Sequence, residues 1–178
     1  RGAGRLGPAE NPPGWTGLWS FRAAAGGLGG VGVGDVVGAA TTFAALKDHP
    51  VIRQRAPALA EAASAVGAIG IQTAATWGGN LVQAMPAADG AIVALALEAE
   101  ARVVDAAGAA WQPVESLVRG PGQSVIDSTR QILTHIRFPL PAARWGCAWR
   151  RVGRRDSLVL PILNCAVKLV LKNASMPY

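Results

Sequence analysis

The chain has 178 residues, 51% of them hydrophobic and 16% charged, with a formal net charge of +6. That length gives one ordinary domain, or two lobes of one, with room for a core, and the composition excludes a disordered chain. The charge is uneven, with 10 basic and 2 acidic residues from Arg119 onward against 7 and 9 before it, which points to an anionic cofactor, an acidic partner or nucleic acid.

In chain order, residues 1–35 form an irregular Gly/Ala/Pro-rich region. Within it Gly27, Gly29 and Gly32 satisfy G-x-G-x-x-G. That fingerprint requires a strand before it and a helix after it; here three alanines precede and more glycine follows, so it reads as a decoy. Thr41 and Thr42 are N-cap candidates for a short helix through Leu46, stopped at His49-Pro50. A second helix starts near Pro57 and carries Leu59, Ala62, Ala63 and Val66 on one face. A glycine loop follows, then a buried helix over residues 88–99. Strands are expected over residues 101–105 and over 132–138, the latter with Ile132, Thr134, Ile136 and Phe138 on one face. Trp145, Cys147 and Trp149 alternate in the same way, as do Cys165, Val167, Leu169 and Leu171. Residues 113–118 read as one or two helical turns, ended by Gly120-Pro121-Gly122. Helices come first and strands later, so the fold class is α+β, with a small mixed or antiparallel sheet flanked by helices.

Several function classes recede. The basic residues are scattered through apolar alternation and match no nucleic-acid-binding motif, so no nucleic-acid partner is expected. Cys147 and Cys165 lack the spacing of a zinc or iron–sulfur site; a buried free thiol is the default reading, with a disulfide left open. His49 and His135 have no metal-ligand neighbour and read as structural. The longest apolar stretch, residues 158–171, is interrupted by Pro161, Asn164 and Lys168, so no membrane span is expected, and the chain reads as soluble and cytoplasmic. The sequon Asn173-Ala174-Ser175 carries no weight in that setting. No nucleophile–base pair emerges, and no catalytic residue is assigned.

The most informative segment is Thr76-Trp77-Gly78-Gly79-Asn80, with Asp89 nine residues further on. Two glycines between a hydroxyl and a carboxamide give bare backbone that a phosphate can approach, with N–H groups able to point outward. Asp89 falls in the first turn of the following helix, where a carboxylate faces the positive end of the helix dipole. A bare Gly-Gly is more often only a turn.

The longer stretch from Gly70 to Asp89 resembles the flavin loop of the molybdenum hydroxylases, the xanthine dehydrogenase and carbon monoxide dehydrogenase family, in its FAD-binding domain or medium subunit. The family pattern is Thr-Ile-Gly-Gly-Asn, a short polar stretch, then Pro-x-x-Asp. Gly38-Ala39-Ala40-Thr41-Thr42 is similar to the family's strand-to-helix junction. Ile136-Arg137-Phe138-Pro139 and Trp149-Arg150-Arg151-Val152-Gly153 are similar to the domain end and the junction beyond it. The resemblance implies the second lobe of a two-lobed FAD-binding domain over residues 36–142 and the start of a C-terminal domain over 143–178.

It also implies FAD as cofactor, bound through Thr76, Gly78 and Gly79 near the pyrophosphate and through Asn80 and Asp89. Trp77 stands where the family has isoleucine; it either packs beneath the loop, the preferred reading, or walls the flavin. Val66 and Leu133 fall at family pocket positions and are equally explained as core. Arg150 matches a position where relatives carry lysine near the flavin, and is equally read as a solvated arginine. A molybdenum cofactor and 2Fe-2S clusters are expected on partner subunits or domains, with FAD passing electrons from the clusters to an acceptor. The family's first glycine loop has no counterpart here. The expectation is therefore a fragment or degenerate copy, truncated at both ends, that alone binds FAD poorly or not at all. The alternative is a cofactor-free basic interaction module.

Overall fold

The computed structural model describes residues 35–140, 144–154 and 159–171. The Gly-rich N-terminal region with its decoy fingerprint, and the sequon, lie outside the described residues.

Strand β1 (Asp35–Gly38) opens the fold and feeds helix α1 (Phe43–Asp48). Thr42 caps α1, its hydroxyl accepting from the Ala45 N–H at 3.2 Å, as its side-chain chemistry favours. Pro50 does not simply stop this helix. It sits at the first position of a further helix, α2 (Pro50–Arg55), where its fixed φ and missing N–H cost nothing. Helix α3 (Pro57–Ala65) buries Leu59, Ala62 and Ala63, while Val66 falls just past its end as the half-buried C-cap.

The segment expected as a glycine loop is helical. Helices α4 (Ile69–Ala74) and α5 (Trp77–Val82) follow each other, and Gly78 and Gly79 lie in the first turn of α5. Helix α6 (Asp89–Ala96) comes next. The chain then turns to strands: β2 (Glu100–Asp105), β3 (Gly108–Pro113), a 3-10 turn over Val114–Leu117, the short pair β4 (Val118–Gly120) and β5 (Gln123–Ser124), β6 (Ile132–Phe138), and a hairpin of β7 (Trp145–Val152) with β8 (Leu163–Val170).

The main sheet is four-stranded in the order β1-β6-β2-β3, every pairing antiparallel. Val37, Ile136 and Ala101 form one cross-strand row and are all fully buried. Against this face pack Phe43, Leu46, Leu59, Trp77, Leu81, Val93 and Leu97 from the helices. The opposite face carries Glu100, Arg102, His135 and Arg137; the Arg137 guanidinium lies 4.3 Å from the centre of the Trp111 ring and its Nε donates to Glu100.

Two strand faces differ from the alternation in the sequence. In β6 the register shifts so that Arg102 pairs with His135 and Val103 with Leu133, leaving Thr134 as a bulge. The extra residue reverses the alternation, so Leu133 joins Ile136 and Phe138 in the core while Ile132 is exposed. In the hairpin, Trp145, Cys147 and Trp149 do face the body, opposite Val170, Lys168 and Ala166. The other apolar set of β8 points away: Val167 is 54% and Leu169 60% exposed. A one-residue change of phase moves a whole strand face, and here Asn164, Ala166 and Lys168 take the inner one. Cys147 and Cys165, on opposite faces, are both free thiols, the second exposed.

Helix α5 is pinned by a close approach. The Gly78 N–H donates to Ala39 O at 2.8 Å, and a Cβ at position 78 would lie 2.6 Å from Ala39 Cβ and 2.7 Å from its carbonyl oxygen. At Gly79 an added Cβ meets only Thr76 Oγ1, at 2.9 Å. Gly78→Ala is expected to lower unfolding free energy by about 1–3 kcal/mol through overpacking. Gly79→Ala is expected to stay within about 1 kcal/mol of wild type, a gain in helix propensity offsetting the disturbed cap. Urea denaturation of the two variants checks the contrast.

Candidate functional site

The candidate pentapeptide is a capped helix start. Thr76 is the N-cap of α5, its hydroxyl oxygen accepting from the Gly79 N–H at 3.1 Å. The neighbouring donors are also engaged: Trp77 N–H to Thr41 O at 3.0 Å, Gly78 N–H to Ala39 O and Asn80 N–H to Thr76 O at 3.0 Å. The backbone donors expected to point outward are thus used within the chain, because a helix start against the β1–α1 junction satisfies them locally.

Trp77 is fully buried, edge-on to Phe138 with ring centroids 6.1 Å apart, and its indole N–H donates to Gly90 O at 3.0 Å. This is the packing role preferred from sequence, and the buried N–H finds its acceptor as such groups do. Asn80 lies against the start of α6: a Cβ on Gly90 would sit 2.7 Å from Asn80 Oδ1. That oxygen is buried and has no hydrogen-bond partner in the chain. Gly79 is exposed.

Asp89 is the first residue of α6 and is buried. Asn164 Nδ2 donates to its Oδ1 at 2.9 Å, and Arg151 Nη1 lies 3.5 Å from its Oδ2. Arg151 also donates to Ala65 O at 2.8 Å, beside Val66. Burial pushes the Asp89 carboxyl above the ordinary carboxylate range; the Asn164 hydrogen bond and the Arg151 charge pull it back only in part.

The structure therefore brings Thr76, Trp77, Gly78, Gly79, Asn80 and Asp89 into one neighbourhood at the facing starts of α5 and α6. Arg151 ties the Val66 segment to it. Leu133 is buried on β6 in the core. Arg150 is not brought to Asp89: it is largely exposed and its Nη1 donates to Glu61 at 2.8 Å. Sequence reading missed Arg151 and Asn164. Strand alternation puts Arg151 on the inner face with Trp149, a signal available from the Trp145, Cys147, Trp149 pattern itself. Asn164 gave only the weaker sign of an amide within an apolar run.

Among the described residues no group of His, Cys, Asp or Glu is placed to hold a metal ion, and no helix is long and apolar enough to cross a membrane. The facing helix starts bring together small residues, a hydroxyl, a carboxamide and a carboxylate braced by Asn164 and Arg151.

Residues 32–141 match the family described as the FAD binding domain in molybdopterin dehydrogenase. The chain is 29% identical over 140 residues to the putative xanthine dehydrogenase FAD-binding subunit of Escherichia coli, covering 78% of this chain and 48% of that protein. It is 27% identical over 143 residues to the nicotinate dehydrogenase FAD-subunit of Eubacterium barkeri, covering 79% and 48%. Its fold superposes on the structure of carbon monoxide dehydrogenase from Hydrogenophaga pseudoflava with a TM-score of 0.77 at 24% identity, over 88% of this chain and 51% of that one. The chain spans about half the length of the relatives it matches.

The family match over residues 32–141 defines the class, a cofactor-binding domain. The chain belongs to the family of FAD-binding domains of molybdopterin dehydrogenases.

The residues present fit FAD in one respect: the orphaned buried Asn80 oxygen is an acceptor suited to a hydroxyl or N–H of the cofactor. Gly79 leaves room for close approach, but its N–H is already taken by Thr76.

Stability should follow the Asp89 titration. A carboxyl raised in the folded state contributes most below its unfolded value, and that contribution is lost as pH rises through the folded value. Asp89→Asn removes this loss. The stability of the variant relative to wild type should thus increase as pH rises from about 3 to about 7, a window bracketing ordinary and raised carboxylates. Urea denaturation across that range checks it; a flat difference would show that Asp89 titrates the same folded and unfolded.

Proposed function

We propose that the chain is the FAD-binding component of a molybdenum hydroxylase-type oxidoreductase, and that it passes electrons from iron–sulfur clusters through FAD to an acceptor. The observation that carries this reading is the family match over residues 32–141, which spans the helix-capping pentapeptide and Asp89. When bound, FAD supplies the two-electron chemistry, and the protein holds and tunes it. In this reading Thr76, Gly78 and Gly79 flank the cofactor's pyrophosphate, and Asn80 and Asp89 make further polar contacts. Trp77 supports the loop from beneath, and Val66 and Leu133 line the apolar side. Arg150, exposed on β7 and paired with Glu61 in the free chain, would supply a cation that favours negative charge on the reduced cofactor. Residues 36–142 form the FAD-binding lobe and 143–178 begin the next domain.

The relatives are named as subunits and as FAD-subunits, which supports partners that carry the molybdenum cofactor and the iron–sulfur clusters. The reading as a cofactor-free basic module is less well supported. Five of the ten cations from Arg119 onward form ion pairs within the chain, so they are not held ready for an acidic partner.

FAD titrated into the chain should lose fluorescence along a saturating curve in the sub-millimolar range. Gly79→Val should weaken binding by at least about tenfold, or roughly 1.4 kcal/mol, with far-ultraviolet circular dichroism unchanged. Equal FAD affinity in wild type and Gly79→Val would count against the assignment of the loop.

A further inference from the structure

Asn164 is the second residue of β8, half-buried within an apolar run, where an amide is a poor strand former and its polar atoms need partners. It pairs across the hairpin with Arg151, and both side chains reach the same carboxylate. The two donors divide it: Asn164 takes Oδ1 and Arg151 takes Oδ2. A carboxylate has about four lone-pair sites, so two donors set its plane and leave acceptor capacity on a fixed side. Stability alone does not require the arrangement: replacing a whole buried polar set by apolar residues of similar volume is often neutral or stabilising, whereas removing Asp89 alone would leave the largely buried Arg151 without its carboxylate.

Of the charged groups on the elements around α6, Arg151 contacts Asp89 among the described residues. Glu61 of α3 pairs with Arg150, Lys168 of β8 pairs with Glu98 beyond the far end of α6, and α5 has no titratable side chain. The orientation of Asp89 is therefore set from the hairpin, by residues 62 and 75 positions further along the chain.

We infer that Asn164 is a positioning residue of the flavin site: its amide holds the Asp89 carboxylate in the orientation that accepts a hydrogen bond from the bound cofactor. This rests on the reading of the chain as an FAD-binding component. Asn164 does not itself touch the flavin; it acts through Asp89.

The test uses the full chain with Asn164→Ala and with Asn164→Leu, which keeps bulk in the strand if the smaller residue unseats it. Two quantities are followed against pH: the Asp89 carboxyl carbon by NMR, and FAD affinity by fluorescence quenching. Loss of the Asn164 donor should move the Asp89 titration to higher pH. Affinity should fall by about tenfold near neutral pH, and its acid limb should rise in step, since protonated Asp89 no longer offers the same acceptor. A variant in which the Asp89 titration stays put overturns the inference. So does an FAD affinity that is unchanged, or one that falls by the same factor at every pH, since the latter marks a merely structural role. Wild-type chain that binds no FAD would instead overturn the reading that this chain alone holds the cofactor, and the carboxyl titration would still decide whether Asn164 orients Asp89.

Discussion

The contact on which the site depends is the seating of α5 on the turn between β1 and α1. Thr42 and Thr76 form an isolated antiparallel bridge, Trp77 and Gly78 donate to carbonyls at Thr41 and Ala39, and Phe43 donates to Ala75. Such an exchange brings two backbones closer than a side chain at position 78 would allow, and glycine is the residue that permits it. With α5 fixed there, Trp77 is driven into the core and its indole N–H meets the carbonyl of Gly90, which sets the start of α6 beside the start of α5. The placement of Asn80 near Asp89 follows from this one packing decision.

The same decision changes what the two glycines mean. In sequence they looked equivalent, a pair of bulk-free positions open to a phosphate. In the fold they divide the work: Gly78 faces inward for contact with Ala39, and Gly79 faces solvent. No local property of the pentapeptide distinguishes them, because the distinction arises from a segment nearly forty residues upstream.

What was legible follows the range over which each signal acts. The caps at Thr42 and the prolines at 50 and 57 are local, and the first helix and α3 were readable, although Pro50 starts a helix as well as ending one. The α+β class was readable from the order of helical and alternating patterns. The faces of β6 and β8 were not. Thr134 bulges because of its pairing with β2, and the inward face of β8 is chosen by Asp89 at the start of α6 and Glu98 just past its end, so the more apolar set turns outward. The site residues were legible as a motif through family resemblance. Their bracing by Arg151 and Asn164 was not, since it is a tertiary contact across the hairpin.

The two ends of β8 carry a dimensional consequence. Asn164 meets Asp89, and Lys168 meets Glu98 at 3.3 Å. Seven steps along α6 to Ala96, at a rise of about 1.5 Å each, span about 10.5 Å, and the chain leaves the helix before Glu98, whose φ is 56°. Four steps along a strand, at about 3.3 Å each, span about 13 Å. With the turn after Ala96 completing the first, helix and strand act as two rulers of different pitch that meet at these points. The double contact makes the hairpin sensitive to length where it is tolerant of composition. One residue inserted within α6, between Asp89 and Ala96, would rotate the chain beyond it by about 100° around the helix. One inserted between Asn164 and Lys168 would turn one of them to the opposite strand face.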